Sequence, residues 1–206
     1  MGHKKNSTFL RSIKENSEST YRNVTPLNWG MSVEGKHVFE NRYAFEWKKV
    51  DGCDRELVPL GENLHQYIVN FKQKNELAGR SVKVFVGTDS QNHLSYTRFV
   101  TVICLQVERN GVHVLVNRMD LPKIYDYKYR LLKEADVSAE FVRNNINFFK
   151  ENEIPLEIHC DYNSKVFYKS NLVVTEAMNY FSTMGIRDIK IKSEAIGASY
   201  AADHFC

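Results

Sequence analysis

Val82, Val84 and Val86 alternate with Lys83, Phe85 and Gly87, the period-two pattern of a β-strand with a buried face. The strand is expected to end near Asp89, where the chain turns polar. "TRFVTVICLQVE" (Thr97–Glu108) predicts a long second strand. The hairpin signal Asn110-Gly111 leads into a third, "VHVLVNRM" (Val112–Met119). The period then lengthens. Leu132, Ala135, Ala139, Val142, Ile146 and Phe149 recur at spacings of three and four, predicting a helix from about Asp126 to Lys150. Pro155 introduces a fourth strand, "LEIHCD" (Leu156–Asp161). A helical stripe follows through Val173, Val174, Ala177, Met178, Phe181 and Met184, with Gly185 as its stop. "DIKIK" (Asp188–Lys192) predicts a short fifth strand, and "GASYAADHFC" a closing helical turn or two.

The order β-β-β-α-β-α-β-α implies one mixed sheet. A three-stranded meander comes first, and the fourth and fifth strands return through helical crossovers, parallel to the first. If the fourth strand neighbours the first, both end at one sheet edge, where open α/β sheets place their sites. Upstream, Leu64, Ile68 and Phe71 give a helix over Glu62–Leu77. Tyr43, Phe45 and Trp47 share one face of a stretch that offers a strand or two. Residues 3–28 are polar, without apolar periodicity, and read as an arm that needs a partner or another subunit to order. The chain therefore divides into an N-terminal extension, residues 1–59, and an α/β domain, residues 60–206.

At 206 residues, with 43% hydrophobic and 26% charged content, the composition is that of an ordinary globular chain. Apolar runs such as Phe99–Val107 are strand-sized, far short of a membrane span. The N-terminus has no apolar signal core, and Asn6 breaks the myristoylation pattern, so a cytoplasmic location is expected. Cys53, Cys104, Cys160 and Cys206 form no CxxC pair and read as reduced thiols. A net charge of +3 permits a nucleic-acid partner without arguing for one.

The candidate chemistry lies in two carboxylates. Leu156, Ile158 and Cys160 alternate with Glu157, His159 and Asp161, so Asp161 closes its strand much as Asp89 closes the first. Parallel neighbours bring the two backbones within about 5 Å. Carboxylates so close raise one another's pKa unless a cation intervenes, and a hard divalent ion is the natural remedy. The expected carboxylate separation is roughly 4–6 Å. No nucleophile triad, Walker loop or zinc spacing is present.

"VFVGTDSQ", "KYRLLKEADVSAE", "LEIHCDYNS" and "EAIGASYAADHF", in that order, resemble the ribonuclease H-like superfamily, and within it the YkuK-type family of predicted nucleases. The resemblance covers roughly residues 62–206. It implies a five-stranded mixed sheet of order 3-2-1-4-5 flanked by helices. It also implies phosphodiester hydrolysis of RNA, DNA or a hybrid, with four acids holding two Mg²⁺ or Mn²⁺ ions. Asp89, Asp161 and Asp203 match the first, third and last acids.

The second acid belongs on the long helix, which offers Glu134, Asp136 and Glu140. Glu140 falls roughly 140° from the centre of the apolar stripe, on the solvent side. Glu134 and Asp136 sit on opposite borders, each roughly 100° away, and geometry does not choose between them. The family's RLxxE pattern, here Arg130–Glu134, favours Glu134. Ser90, Lys165 and Lys169 are the substrate-binding candidates, with Lys190 and Lys192 also near the acidic edge. His159 shares the parity of Asp161, and His204 adjoins Asp203. After its fourth strand the family usually carries a glycine-containing turn, whereas Tyr162–Asn171 has no glycine and more bulk. The competing readings are a non-catalytic nucleic-acid-binding or assembly module, docked through residues 1–59, and an actin-type ATPase. The ATPase reading lacks its duplicated domains and glycine-rich phosphate loops.

Overall fold

Seven strands form one mixed sheet in a computed structural model that describes residues 43–51, 56–192 and 198–206. In chain order the elements are β1 (Lys48–Asp51), β2 (Glu56–Pro59), α1 (Leu64–Glu76), β3 (Val82–Asn92), β4 (Tyr96–Val107) and β5 (Gly111–Pro122). After these come α2 (Tyr127–Glu151), β6 (Leu156–Cys160), α3 (Val174–Thr183), β7 (Ile189–Ile191) and α4 (Ala198–Phe205). The strand order is β2-β1-β5-β4-β3-β6-β7. The meander β3–β4–β5 is antiparallel, while β6 runs parallel to β3 and β7 parallel to β6.

The expected 3-2-1-4-5 core is therefore present, extended by two strands on its outer side. β1 pairs with β5 at Lys48↔Val116 and with β2, so Lys48–Asp51 and Glu56–Pro59, placed in the extension by the sequence reading, join the sheet. The expected arm, residues 3–28, and Cys53 lie outside the described residues.

Each face of the sheet buries a different partner. Val84, Val86, Ile103, Leu105, Leu115 and Ile158 pack with Leu131, Ala135, Ala139 and Val142 of α2. Val100, Val102, Cys104 and Val116 pack on the other face with Ala198, Ala202 and Phe205 of α4. Cys104 and Cys160 are buried free thiols, and burial pushes the Cys104 thiol up to about 12.

Three local expectations need correction. β3 does not end at Asp89, because β4 continues the antiparallel pairing as far as Asn92↔Thr97. The β4–β5 turn is longer than a two-residue Asn-Gly hairpin. Val107 pairs with Gly111, and the left-handed residues are Arg109 (φ 57°) and Gly111 (φ 91°). Glu140 is not on a solvent side: it is fully buried, with the Arg143 guanidinium 2.7 Å away. Helix α2 is enclosed around its whole circumference from Glu134 to Val142, not along a single stripe. Part of that cover is Phe45 and Trp47, whose rings meet Phe141 at 5.6 and 5.4 Å.

Candidate acidic site

Parity on β3 divides its side chains. Phe85 and Gly87 share the α4 face with Asp89, while Thr88 and Ser90 face α2. β6 obeys the same parity: Ile158 and Cys160 enter the α2-side core, and His159 stacks on Phe85 at 4.5 Å on the other side. Asp161 therefore shares the Asp89 face. The parallel register Val84↔Leu156 through Val86↔Ile158, carried forward along both strands, sets Asp89 opposite Asp161.

The Asp89 carboxyl is pushed up to about 6, first by burial and then by the negative charges of Asp203 and Asp161. A hydrogen bond from the Ser90 backbone N–H and the Arg130 guanidinium oppose the rise. Glu134, only 2% exposed, is raised well above the usual carboxylate range by burial and by the Asp89 charge. The Ser90 hydroxyl donates to Glu134 Oε1 at 2.5 Å. Arg130, one turn earlier on α2, places Nη1 3.6 Å from the same oxygen. The same guanidinium donates to the Ser90 hydroxyl at 2.6 Å and to the Ser90 carbonyl oxygen. Ser90 is thus buried and committed to Glu134.

The mouth of the site is more open. Asp161 follows β6 and takes the Lys192 ammonium at 2.9 Å. Lys192 is held above the usual lysine range by that bond, with Asp203 and Asp89 adding. Asp203 is exposed on α4. Strand register and the two helices place the four predicted acids at one sheet end, where Asp89 feels the Asp161 and Asp203 charges and raises Glu134.

The helix alternatives separate here. Asp136 accepts from the Tyr43 hydroxyl at 2.5 Å and the Tyr180 hydroxyl at 2.7 Å, with Lys133 at 3.2 Å. Glu140 engages Arg143. Glu134 is coupled to Asp89. Asp136→Asn should therefore cost about 1–3 kcal/mol of stability, by weakening two buried tyrosine bonds. It should leave any cleavage within a few-fold of wild type, which unfolding curves and a rate assay check together.

His159 is buried. Its Nε2 lies 3.4 Å from Glu157, the α4 backbone N–H of Ala198 meets its Nδ1 at 3.4 Å, and burial lowers its pKa. It docks α4 rather than facing the acids. His204 is exposed, with its ring against Phe205. Lys165 and Lys169 stand exposed in the segment after Asp161.

Sequence reasoning missed two residues of the site. The Cys206 thiol is coupled to the acids: burial, followed by the Asp89, Glu134 and Asp203 charges, raises its pKa. Its spacing of three from Asp203, nearly one helical turn, was the available signal. Arg130 was read only as part of a motif, although its spacing of four from Glu134 marks a helix ion pair. As the side chains stand, no group of three or more His, Cys, Asp or Glu among the described residues is arranged to hold a metal ion. No described helix is long and apolar enough to cross a membrane.

Comparisons with curated proteins and with solved structures returned no match. The ribonuclease H-like family profile matches residues 63–206, from the start of α1 through α4. It does not reach the finer likeness to the YkuK-type nucleases. The match spans more than half of the chain and coincides with the 3-2-1-4-5 core and its acid-bearing edge. On that evidence the chain belongs to the ribonuclease H-like family.

Proposed function

We propose that this chain is a metal-dependent nuclease that hydrolyses phosphodiester bonds of RNA, DNA or a hybrid. Family membership supports a nuclease-like or nucleic-acid-related role in general. The observation that carries the finer reading is the coupling of Asp89 to Glu134, Asp161 and Asp203 at one sheet end, with Asp89 and Glu134 both raised. A cluster of oxygen donors that repel one another, buried at Glu134 and open at Asp161 and Asp203, fits hard divalent cations such as Mg²⁺ or Mn²⁺. Asp89, Glu134, Asp161 and Asp203 would hold two such ions. When bound, they supply an activated water for in-line attack and stabilise the leaving oxygen.

The chain's own residues have distinct tasks in this reading. Asp89 lies between the buried and the open acids and couples to both sides. Ser90 and Arg130 fix the Glu134 carboxyl from two directions. Lys192 balances Asp161 at the mouth. Lys165 and Lys169 contact substrate phosphates from the exposed segment. Residues 1–59 add a surface for a protein partner or self-association, and the protein works in the cytoplasm.

A second reading draws on a specific observation: Lys192, Ser90 and Arg130 already satisfy Asp161 and Glu134 internally. On that reading the site is retained without chemistry, as a nucleic-acid-binding or assembly module. Calorimetric titration with Mg²⁺ and Mn²⁺, beside cleavage of labelled RNA, DNA and hybrid substrates, separates the two. The nuclease reading expects millimolar or tighter binding and cleavage that chelator stops. It also expects Glu134→Gln to lower the rate about 10²-fold or more. Nucleic-acid binding with no metal uptake and no cleavage would establish the module instead.

A further inference from the structure

Nine large apolar or aromatic side chains stand exposed among the described residues, and their distribution is uneven. Leu77 follows α1 and Val112 opens β5, both at the end where β3 begins. The other seven gather at the opposite end, beside the acids. Leu94 tips the β3–β4 hairpin, and Tyr125 and Tyr127 lead into α2. Val166, Phe167, Tyr168 and Leu172 lie in the segment that follows Asp161. Phe167 is 95% exposed and Val166 81%. Exposed apolar surface concentrated in this way marks a binding face.

The segment after Asp161 is a built loop. Tyr162 is buried and donates its hydroxyl to the Leu131 carbonyl of α2 at 2.7 Å, which anchors the entry. The Asn163 backbone N–H donates to the Ser170 hydroxyl at 3.0 Å. The Asn171 side-chain amide donates to the carbonyls of Asn163 and Ser164 at 3.2 and 2.9 Å, closing the neck. The tip, pinned below, presents Val166, Phe167 and Tyr168 outward.

Charge selects the occupant. Lys165 and Lys169 bracket the tip, and Tyr162–Leu172 contains no Asp or Glu. Lysine is depleted from the cores of protein–protein interfaces, whereas basic residues interleaved with aromatic rings suit a phosphate backbone with unpaired bases. A duplex hides the flat faces of its bases, so it would gain little from Phe167 and Tyr168. Phe167 is six residues beyond Asp161, which keeps its backbone within about 20 Å of the acids.

We propose that the Lys165–Lys169 loop is a stacking platform for unpaired nucleobases, seating a single-stranded segment of RNA or DNA beside the acid cluster. Its placement beside a reacting phosphate rests on the nuclease reading; the stacking itself does not. The test is fluorescence anisotropy of the full chain in chelator. Probes are labelled single strands of about 20 nucleotides, longer than one typical site, and the matching duplexes. Phe167→Ala/Tyr168→Ala should weaken single-strand binding roughly 5- to 150-fold while moving duplex binding less than about threefold. Lys165→Gln/Lys169→Gln should weaken both probes and flatten the salt dependence by a slope of about one to two. Unchanged melting curves should accompany both variants. Single-strand affinity within about twofold of wild type for the aromatic variant overturns the platform, as does an equal loss for duplex. A dimer turned monomer by that variant, with oligonucleotide affinity unmoved, assigns the face to self-association and overturns it too. A wild type that never cleaves in Mg²⁺, with the Phe167 effect intact, supports the platform and defeats the nuclease reading alone.

Discussion

Asp89→Asn is expected to abolish Mg²⁺-dependent cleavage while raising the melting temperature of the protein in chelator. Burial and the charges of Asp203 and Asp161 push the Asp89 carboxyl from its ordinary 3.8 up to about 6. Above that value the folded protein carries a charge that the unfolded chain accommodates more easily. The penalty is on the order of 2–3 kcal/mol, and asparagine escapes it while keeping the shape. Losing the charge also relieves Glu134, which Asp89 drives upward. Part of the gain is offset because the amide is a poorer acceptor for the Ser90 N–H. A net stabilisation of about 1–2 kcal/mol corresponds to a few degrees for a domain of this size.

The pH dependence has a definite sign. Because the folded pKa exceeds the unfolded one, the Asp89 contribution is fully present below about 4 and is lost as pH rises through about 6. Wild type and Asp89→Asn should therefore converge near pH 4 and separate by pH 7, with the variant the more stable. Added Mg²⁺ should reverse that order. An ion bound only by the folded state stabilises wild type by about 2.7 kcal/mol at a hundred times its Kd, and the variant binds it less well. Melting curves across pH, each with chelator and with Mg²⁺, read both effects. Parallel curves throughout would mean that Asp89 is an ordinary strand residue.

What was legible before the structure was parity and order. The alternation at Val82–Val86 and at Leu156–Cys160 is local, and it alone placed Asp89 and Asp161 on one face. The helix spacing drew the α2 stripe, but not what covers the rest of the helix. Phe45 and Trp47 arrive from far away in sequence, and Glu140 finds Arg143, so a position that periodicity assigned to solvent is buried. The end of β3 was misread for a related reason. A polar run looks like a turn unless a neighbouring strand continues past it, and β4 does. Glu134 and Asp136 were symmetric about the stripe. Only tertiary partners, Ser90 for one and Tyr43 and Tyr180 for the other, distinguish them.

Gly87→Ala tests how the site is assembled without altering a single charge. Gly87 lies on the α4 face of β3, close against Ala198 at the start of α4. An added Cβ would lie 2.8 Å from the His159 carbonyl oxygen, 3.0 Å from the Ala198 Cβ and 3.1 Å from the Ala198 carbonyl carbon. Two of these three atoms are backbone, so no rotamer change makes room; β6 or α4 must shift. Such overpacking costs about 1–3 kcal/mol. The displaced helix carries Asp203 and leads to Cys206, so its movement loosens one side of the acid cluster. A shift of about 1 Å in a reacting constellation can reduce the rate about 10²-fold, and a loss of that order is expected here. Amide hydrogen exchange in α4 should accelerate more than in α2, which packs on the opposite face. Adding Ala198→Gly removes the 3.0 Å contact but not the approach to the His159 carbonyl, so the double variant should recover only part of both losses. A Gly87→Ala protein that melts, exchanges and cleaves like wild type would show that α4 is not held by this approach. The position of Asp203 would then depend on contacts elsewhere along the helix, at Ala202 and Phe205.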